Sequence, residues 1–462
     1  MKTSQRVRVV TVAMIVSLGL TGCGAPTDDG STGLAEEPRP TAASVSSPAT
    51  AGDQDPTSNA VPSPTQDRAP ATVVADPTEE RPPADSPDAR ALADGLNQAG
   101  ARMFLAAAEN EEGDLLLSPF SIGVAFGMAD VGAAGPAADG LAELFGYPVQ
   151  DEERWSAFNT LLLDIATDPE ATTAPIVALA NRQFPDLSFT PQPAFAQAIA
   201  TWFGAAAQPL PLQQDQDGSR QVINDYVAQQ TRDRIPELLP QGFITPASVL
   251  VLVNALYLEA KWTTPFGKYP TTDAPFTLRD GTTTTVPLMN NKELFGPAVQ
   301  GEGYVAAELP YRGDELSMTV IVPDDGAFDD VQQQMTEGLL DQIDTGVTDQ
   351  AVDLYLPRFT STTNADLQEL IEGGLGINGI FYSPHYPGIA EEIALTSAVH
   401  AADIEVDEEG TVAAAATALG FEDSGPGPTD LTVRADRPFL YAIRHIPTGA
   451  VLFLGRVMDP FA

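Results

Sequence analysis

Leu92, Leu96, Ala99 and Met103 recur at three- and four-residue intervals, which is the spacing of one helix face. Asp88 stands just ahead of them, and its side chain is of the type that accepts from the free N–H groups of a helix start. Helical spacing also marks residues 155–165 and 219–239. The pattern then changes. Val249-Leu250-Val251-Leu252-Val253 is an unbroken apolar run, which predicts a strand buried on both faces. Val352, Leu354 and Leu356 alternate with Asp353 and Tyr355, as in a half-buried strand. Residues 316–322, 439–444 and 450–457 predict three more strands, the last two joined at Pro447-Thr448-Gly449. Helices early and strands late predict an α+β domain with antiparallel sheets. No internal repeat is visible.

The N-terminus follows a different pattern. Lys2, Arg6 and Arg8 precede an apolar run over residues 9–20. That run is shorter than the ~20 residues a membrane-spanning helix needs, and a basic head with a short apolar run predicts an export signal. It ends in Leu20-Thr21-Gly22-Cys23, which resembles the lipobox of bacterial lipoproteins. The resemblance implies removal of residues 1–22 and diacylation of Cys23. The plain alternative is an ordinary signal with an incidental cysteine, but Cys23 is the only cysteine in the chain. Two acyl chains anchor stably where one is marginal. Gly24 to Asp88 holds twelve prolines and no aromatic residue, too little apolar surface to offset its ordering entropy. It predicts a disordered tether with a root-mean-square reach of roughly 45 Å. The expected organisation is a signal at 1–22, lipidated Cys23 with its tether at 23–87, and one domain at 88–462. Such a chain would sit on the outer face of the bacterial cytoplasmic membrane or on the cell surface.

Charge and chemistry narrow the function. The 64 acids against 23 bases give a net charge of −41, a field that repels nucleic acids and other polyanions. A single cysteine permits no internal disulfide. Three histidines, with no HExxH and no CxxC, argue against a metal site, and no GxSxG, P-loop or GxGxxG context is present. No cofactor is expected.

The segment Glu408-Glu409-Gly410-Thr411-Val412-Ala413-Ala414-Ala415-Ala416-Thr417 is the most informative. Propensity alone assigns four alanines to a helix, yet nothing there is large enough to hold a helix on a core. Small side chains also suit a segment that slides between two existing strands. A series of motifs favours the second reading. They are Leu115-Leu116-Leu117-Ser118-Pro119-Phe120-Ser121-Ile122, Gly132-Ala133-Ala134-Gly135 and Ala180-Asn181-Arg182-Gln183-Phe184, then Leu252-Val253-Asn254-Ala255-Leu256-Tyr257 with Lys261-Trp262. Glu308-Leu309-Pro310-Tyr311, Leu356-Pro357-Arg358-Phe359, Arg437-Pro438-Phe439-Leu440 and Leu452-Phe453-Leu454-Gly455-Arg456-Val457 follow. In this order and spacing they resemble the serpin family across residues 88–462.

The resemblance implies a serpin fold, with about three β-sheets, eight or nine helices and an exposed reactive-centre loop. It implies an inhibitor and not an enzyme: a serine protease cuts the loop, becomes acylated, and is carried off as the loop inserts into the large sheet. Residues 408–417 would be the hinge. With period-two alternation, Thr411, Ala413, Ala415 and Thr417 would face inward, and all are small. Val412 stands where the family often has glutamate. Ser118, Ser121, Asn254 and His400 match the family's shutter and Trp262 its breach, although each alone would read as an ordinary core residue. Family spacing from Gly410 places the scissile bond at Ser424-Gly425, with Phe421 and Glu422 as rival sites. A small residue there favours an elastase-like or subtilisin-like target, and the inhibitor is expected to be a monomer. A non-inhibitory serpin-fold binding protein is the alternative. Asp423-Ser424-Gly425-Pro426 resembles a protease nucleophile segment, but a catalytic triad needs geometry that a separation of only 24 positions between His400 and Ser424, spanning the alanine run, does not suggest.

Overall fold

The computed structural model describes residues 8–17, 84–147, 151–167, 175–382, 384–411 and 429–461. The elements in chain order are β1 (Arg8–Ser17), α1 (Ala89–Ala108), β2 (Leu115–Leu117), α2 (Pro119–Asp130), α3 (Pro136–Phe145), α4 (Asp151–Ile165), β3 (Ile176–Pro185), α5 (Pro193–Phe203), β4 (Ala206–Ala207) and α6 (Gln216–Gln230). Then come β5 (Ser248–Lys261), β6 (Thr272–Thr277), β7 (Thr283–Gln300), β8 (Tyr304–Pro310), β9 (Leu316–Pro323), α7 (Phe328–Gln334), α8 (Leu339–Gly346), β10 (Thr348–Pro357) and β11 (Phe359–Asp366). The chain closes with β12 (Ile393–Val406), β13 (Gly410–Thr411), β14 (Leu431–Arg434), β15 (Phe439–His445) and β16 (Ala450–Val457).

The strands form two hydrogen-bonded networks. The first runs β4, β3, β5, β12, β11, with β1 and β13 both lying between β5 and β12. The second runs β14, β10, β7, β8, β9, β15, β16, β2, with β6 on the edge of β7. The expected third sheet is the layer of β6, β7, β10 and β14, which joins the second network because the 18-residue β7 runs through both. The described residues include eight α-helices.

β5 explains the unbroken apolar run. Leu250, Leu252, Leu256 and Leu258 enter the main core, while Val251, Val253 and Ala255 lie on the other face with Ile223 and Val227 of α6. Both faces are covered, so both sets of side chains are apolar. Each fully buried leucine or valine contributes about 1.5–3 kcal/mol.

Two expectations meet a different local structure. Asp88 does precede α1, but its side chain makes no capping bond; its backbone carbonyl accepts from Leu92 N–H at 2.9 Å. The helix expected to reach residue 239 stops at Gln230, where the chain passes through positive φ at Arg232 and Asp233. The apolar run read as an export signal is strand β1, ten residues long and parallel to both of its neighbours. Its valines, isoleucine and threonine favour extended backbone. Cys23, the tether up to residue 83 and residues 412–428 lie outside the described residues.

Candidate functional site

The site is the strand position between β5 and β12. At its head, β12 ends at Val406, the chain turns through Asp407, Glu408 and Glu409, and β13 returns antiparallel to both walls. Gly410 pairs with Lys261, while Thr411 pairs with Ala260 on one side and Val406 on the other. A Cβ at residue 410 would lie 2.1 Å from the Ala260 carbonyl oxygen, so only glycine fits. Asp407 carries the turn: its Oδ1 accepts from Glu409 N–H at 2.8 Å and Gly410 N–H at 3.1 Å. Burial raises the pKa of that carboxyl, against the pull of these two bonds.

Trp262 sits beneath the turn. Its indole N–H donates to the Asp407 carbonyl at 3.0 Å and its backbone N–H to the Glu409 carbonyl at 2.9 Å. The ring stacks on Tyr311 at 4.4 Å between centroids. The Tyr311 hydroxyl meets Thr411 Oγ1 at 2.5 Å, and both residues are fully buried. Glu408 is clamped from the other side. Arg358 Nε reaches its two oxygens at 3.0 and 2.9 Å, and Thr271 Oγ1 also donates to it. Burial pushes the Glu408 carboxyl up, but these partners hold it below its ordinary value.

Farther down, a buried polar cluster joins α2 to both walls. Ser118 N–H donates to His400 Nε2 at 3.2 Å, and Ser118 Oγ accepts from Ser121 N–H at 3.1 Å. Ser121 Oγ donates to Asn254 Oδ1, and Asn254 Nδ2 donates to Asn181 Oδ1 at 2.6 Å. Ser118 is the N-cap of α2, so one hydroxyl both starts the helix and anchors the cluster. Burial lowers the His400 pKa to about 3, so the imidazole is neutral. With Nε2 accepting, the proton rests on Nδ1, which has no hydrogen-bond partner among the described residues. β1 passes here: Met14 is in register with His400 and with Asn254.

The expected shutter residues Ser118, Ser121, Asn254 and His400 are therefore brought together, and Trp262 lies at the expected end of the same column. Glu408, Glu409, Gly410 and Thr411 form its head. Val412, Ala413, Ala414, Ala415, Ala416, Thr417, Ser424 and Gly425 lie outside the described residues, as do Phe421 and Glu422. Sequence reasoning did not single out Arg358, Tyr311, Asp407 or Asn181 as site residues. Three of them stood inside motifs already quoted, and three adjacent acids at 407–409 were a signal that a base must lie near. Among the described residues no cluster of His, Cys, Asp and Glu could hold a metal.

The fold is an α+β domain whose large sheet seats a short strand, β13, between the parallel strands β5 and β12. The sequence comparison names its class. The family model for serpins, described as serine protease inhibitors, matches residues 94–460. The chain belongs to the serpin family. It is 34% identical over 383 residues to human leukocyte elastase inhibitor, covering 78% of this chain and 96% of that protein. It is 31% identical over 366 residues to mouse antithrombin-III, covering 77% of this chain and 78% of that protein. The fold matches uncleaved ovalbumin with a TM-score of 0.71 at 23% identity, over 80% of this chain and all of that one. The thermophilic serpin tengpin in its native state matches equally, at 0.71 and 22% identity, over 82% and 96% of the two chains.

Proposed function

We propose that this serpin is an inhibitor that traps a serine protease covalently. The protease serine oxygen attacks the carbonyl carbon of Ser424. The bond to Gly425 breaks, the new amine leaves with the proton, and an ester joins inhibitor to enzyme. The freed hinge then continues the course that β13 has begun, antiparallel between β5 and β12. Some fifteen residues at ~3.3 Å each carry the attached enzyme roughly 50 Å before water can release it. The observation that supports this is the seated hinge, Gly410 paired with Lys261 and Thr411 paired on both sides, running antiparallel down the column. Small residues at the cut favour an elastase-like or subtilisin-like target. The relatives include one named for inhibiting leukocyte elastase. The lipobox reading adds a diacylated Cys23 that holds the inhibitor at the outer face of a bacterial membrane.

One observation favours a second reading, a non-inhibitory binding protein on the same anchor: β1 already pairs with both walls of the column. Removal of residues 1–22 during export would vacate that position. The test mixes two chains, the full-length one and one beginning at Cys23, with elastase, subtilisin, chymotrypsin and a glutamate-specific protease. The expected result is an SDS-stable complex with the shorter chain and a released fragment beginning at Gly425. Cleavage without a complex for all four enzymes would move the protein to the non-inhibitory reading.

A further inference from the structure

β1 and β13 share one strand position and enter it from opposite ends. β1 runs up the column parallel to both walls, and its last residue, Ser17, is in register with Tyr257 of β5 and Asp403 of β12. β13 comes down antiparallel, and Thr411 is in register with Ala260 and Val406. Leu258 and Glu259 on one wall, and Ile404 and Glu405 on the other, separate the two ends. The position is otherwise filled from Val9, opposite Ser248, to Gly410, opposite Lys261.

The occupant suits this seat. Six of residues 9–16 are valine, isoleucine or threonine, which favour extended backbone. Both edges of the strand are paired, so its N–H and C=O groups find partners without water. At the foot of the column Arg8 is in register with Ile393, which directly follows the acids Glu391 and Glu392. A basic residue and two acids therefore share that end, and opposite charges attract there.

The same segment supplies nine of the twelve residues of the apolar run at 9–20 that reads as an export signal. The two uses exclude each other. In lipid an apolar segment has no second strand at hand and must satisfy its backbone as a helix. In the column it is a strand, and its backbone partners belong to β5 and β12. Cys23 follows Ser17 by six residues, roughly 20 Å of extended chain, so the lipobox stays tied to the domain while β1 is seated.

We propose that the folded domain captures its own export signal: once β5 and β12 stand side by side, the position between them takes residues 8–17 as a strand and withholds them from the membrane. Export then has to begin before the large sheet is complete, and a precursor that folds first stays off the membrane. The proposal rests on the export reading of residues 1–22, so its test separates the two.

The experiment measures co-flotation with vesicles of phosphatidylcholine and phosphatidylglycerol. The samples are a peptide of residues 1–22, the full-length chain folded beforehand, and the full-length chain diluted from urea directly into the vesicles. The peptide and the chain diluted from urea are expected to float, and the folded chain to bind roughly tenfold more weakly or less. A chain beginning at Cys23, diluted from urea in the same way, should not float. Hydrogen exchange on the folded full-length chain should show the amides of residues 9–17 exchanging roughly a hundredfold more slowly than in the peptide. A folded chain that floats as the peptide does, or amides that exchange as freely as the peptide's, would overturn the capture and leave the export reading standing. A peptide that does not float would remove the export reading itself, and the capture with it.

Discussion

Thr411→Arg tests the trapping mechanism most directly. Thr411 is fully buried, paired on both sides, and bonded to a buried Tyr311 hydroxyl. Arginine there breaks that bond and leaves the Tyr311 hydroxyl without its partner, a cost of about 1–3 kcal/mol. It also asks a guanidinium to enter a position walled by Ala260 and Val406, which adds several kcal/mol. The total is on the order of 5 kcal/mol, more than three decades in rate or equilibrium. In the proposed mechanism the inserting strand must hold this residue in its seat, so the cost falls on insertion while hydrolysis of the ester is untouched. Hydrolysis should then win. In the chain beginning at Cys23, the variant should be cut at the wild-type rate yet give no SDS-stable complex, with free protease recovered in full. Because Trp262 stacks on Tyr311 and bonds to the turn, its fluorescence should also change as the hinge leaves, read with Trp155 and Trp202 replaced by phenylalanine. A Thr411→Arg chain that still forms the complex one to one would refute the reasoning.

Other outcomes follow from the same geometry. His400 is neutral in the fold with a pKa of about 3, against an ordinary 6.5. The unfolded chain binds that proton more readily, so the contribution is complete above about pH 6.5 and is lost as pH falls toward 3. It is worth up to roughly 5 kcal/mol. The difference in unfolding free energy between wild type and His400→Gln, measured from pH 7 to pH 4, should shrink with acid; a constant difference would contradict it. Arg358→Ala and Glu408→Gln should couple by about 1 kcal/mol in a double-mutant cycle, modest because Arg358 is half exposed. Coupling near zero would mean that the backbone bonds hold the turn alone. Gly410→Ala should unseat the hinge without a protease, because the Ala260 carbonyl has no room for a methyl group, and limited proteolysis after residue 411 should speed up. The chain beginning at Cys23 should trap protease faster than the full-length chain, since β1 and the cut loop need one position. Equal rates would show that β1 yields freely.

The small residues at 410 and 411 were legible in the chain because they are forced locally, whereas the polar column was read from the family resemblance and not from its residues singly. Only a small residue enters between two strands already in place, and Gly410 and Thr411 are where that limit is met. β5 was legible because two covered faces demand an apolar residue at every position. What the sequence could not state is who faces whom. Arg358 and Glu408 are fifty residues apart, and their pairing exists only because β12 delivers its turn beside the end of β10. The length of α6 escaped for a related reason: helical spacing persists to residue 239, but Thr231 turns its hydroxyl back to the Val227 carbonyl and the next two residues adopt positive φ. The N-terminal run shows the division most plainly. Its sequence establishes a short, apolar, β-favouring segment behind a basic head. Whether it meets a membrane, a peptidase or two unpaired strand edges depends on partners far from it in the chain, and open edges between β5 and β12 are created only by the tertiary fold.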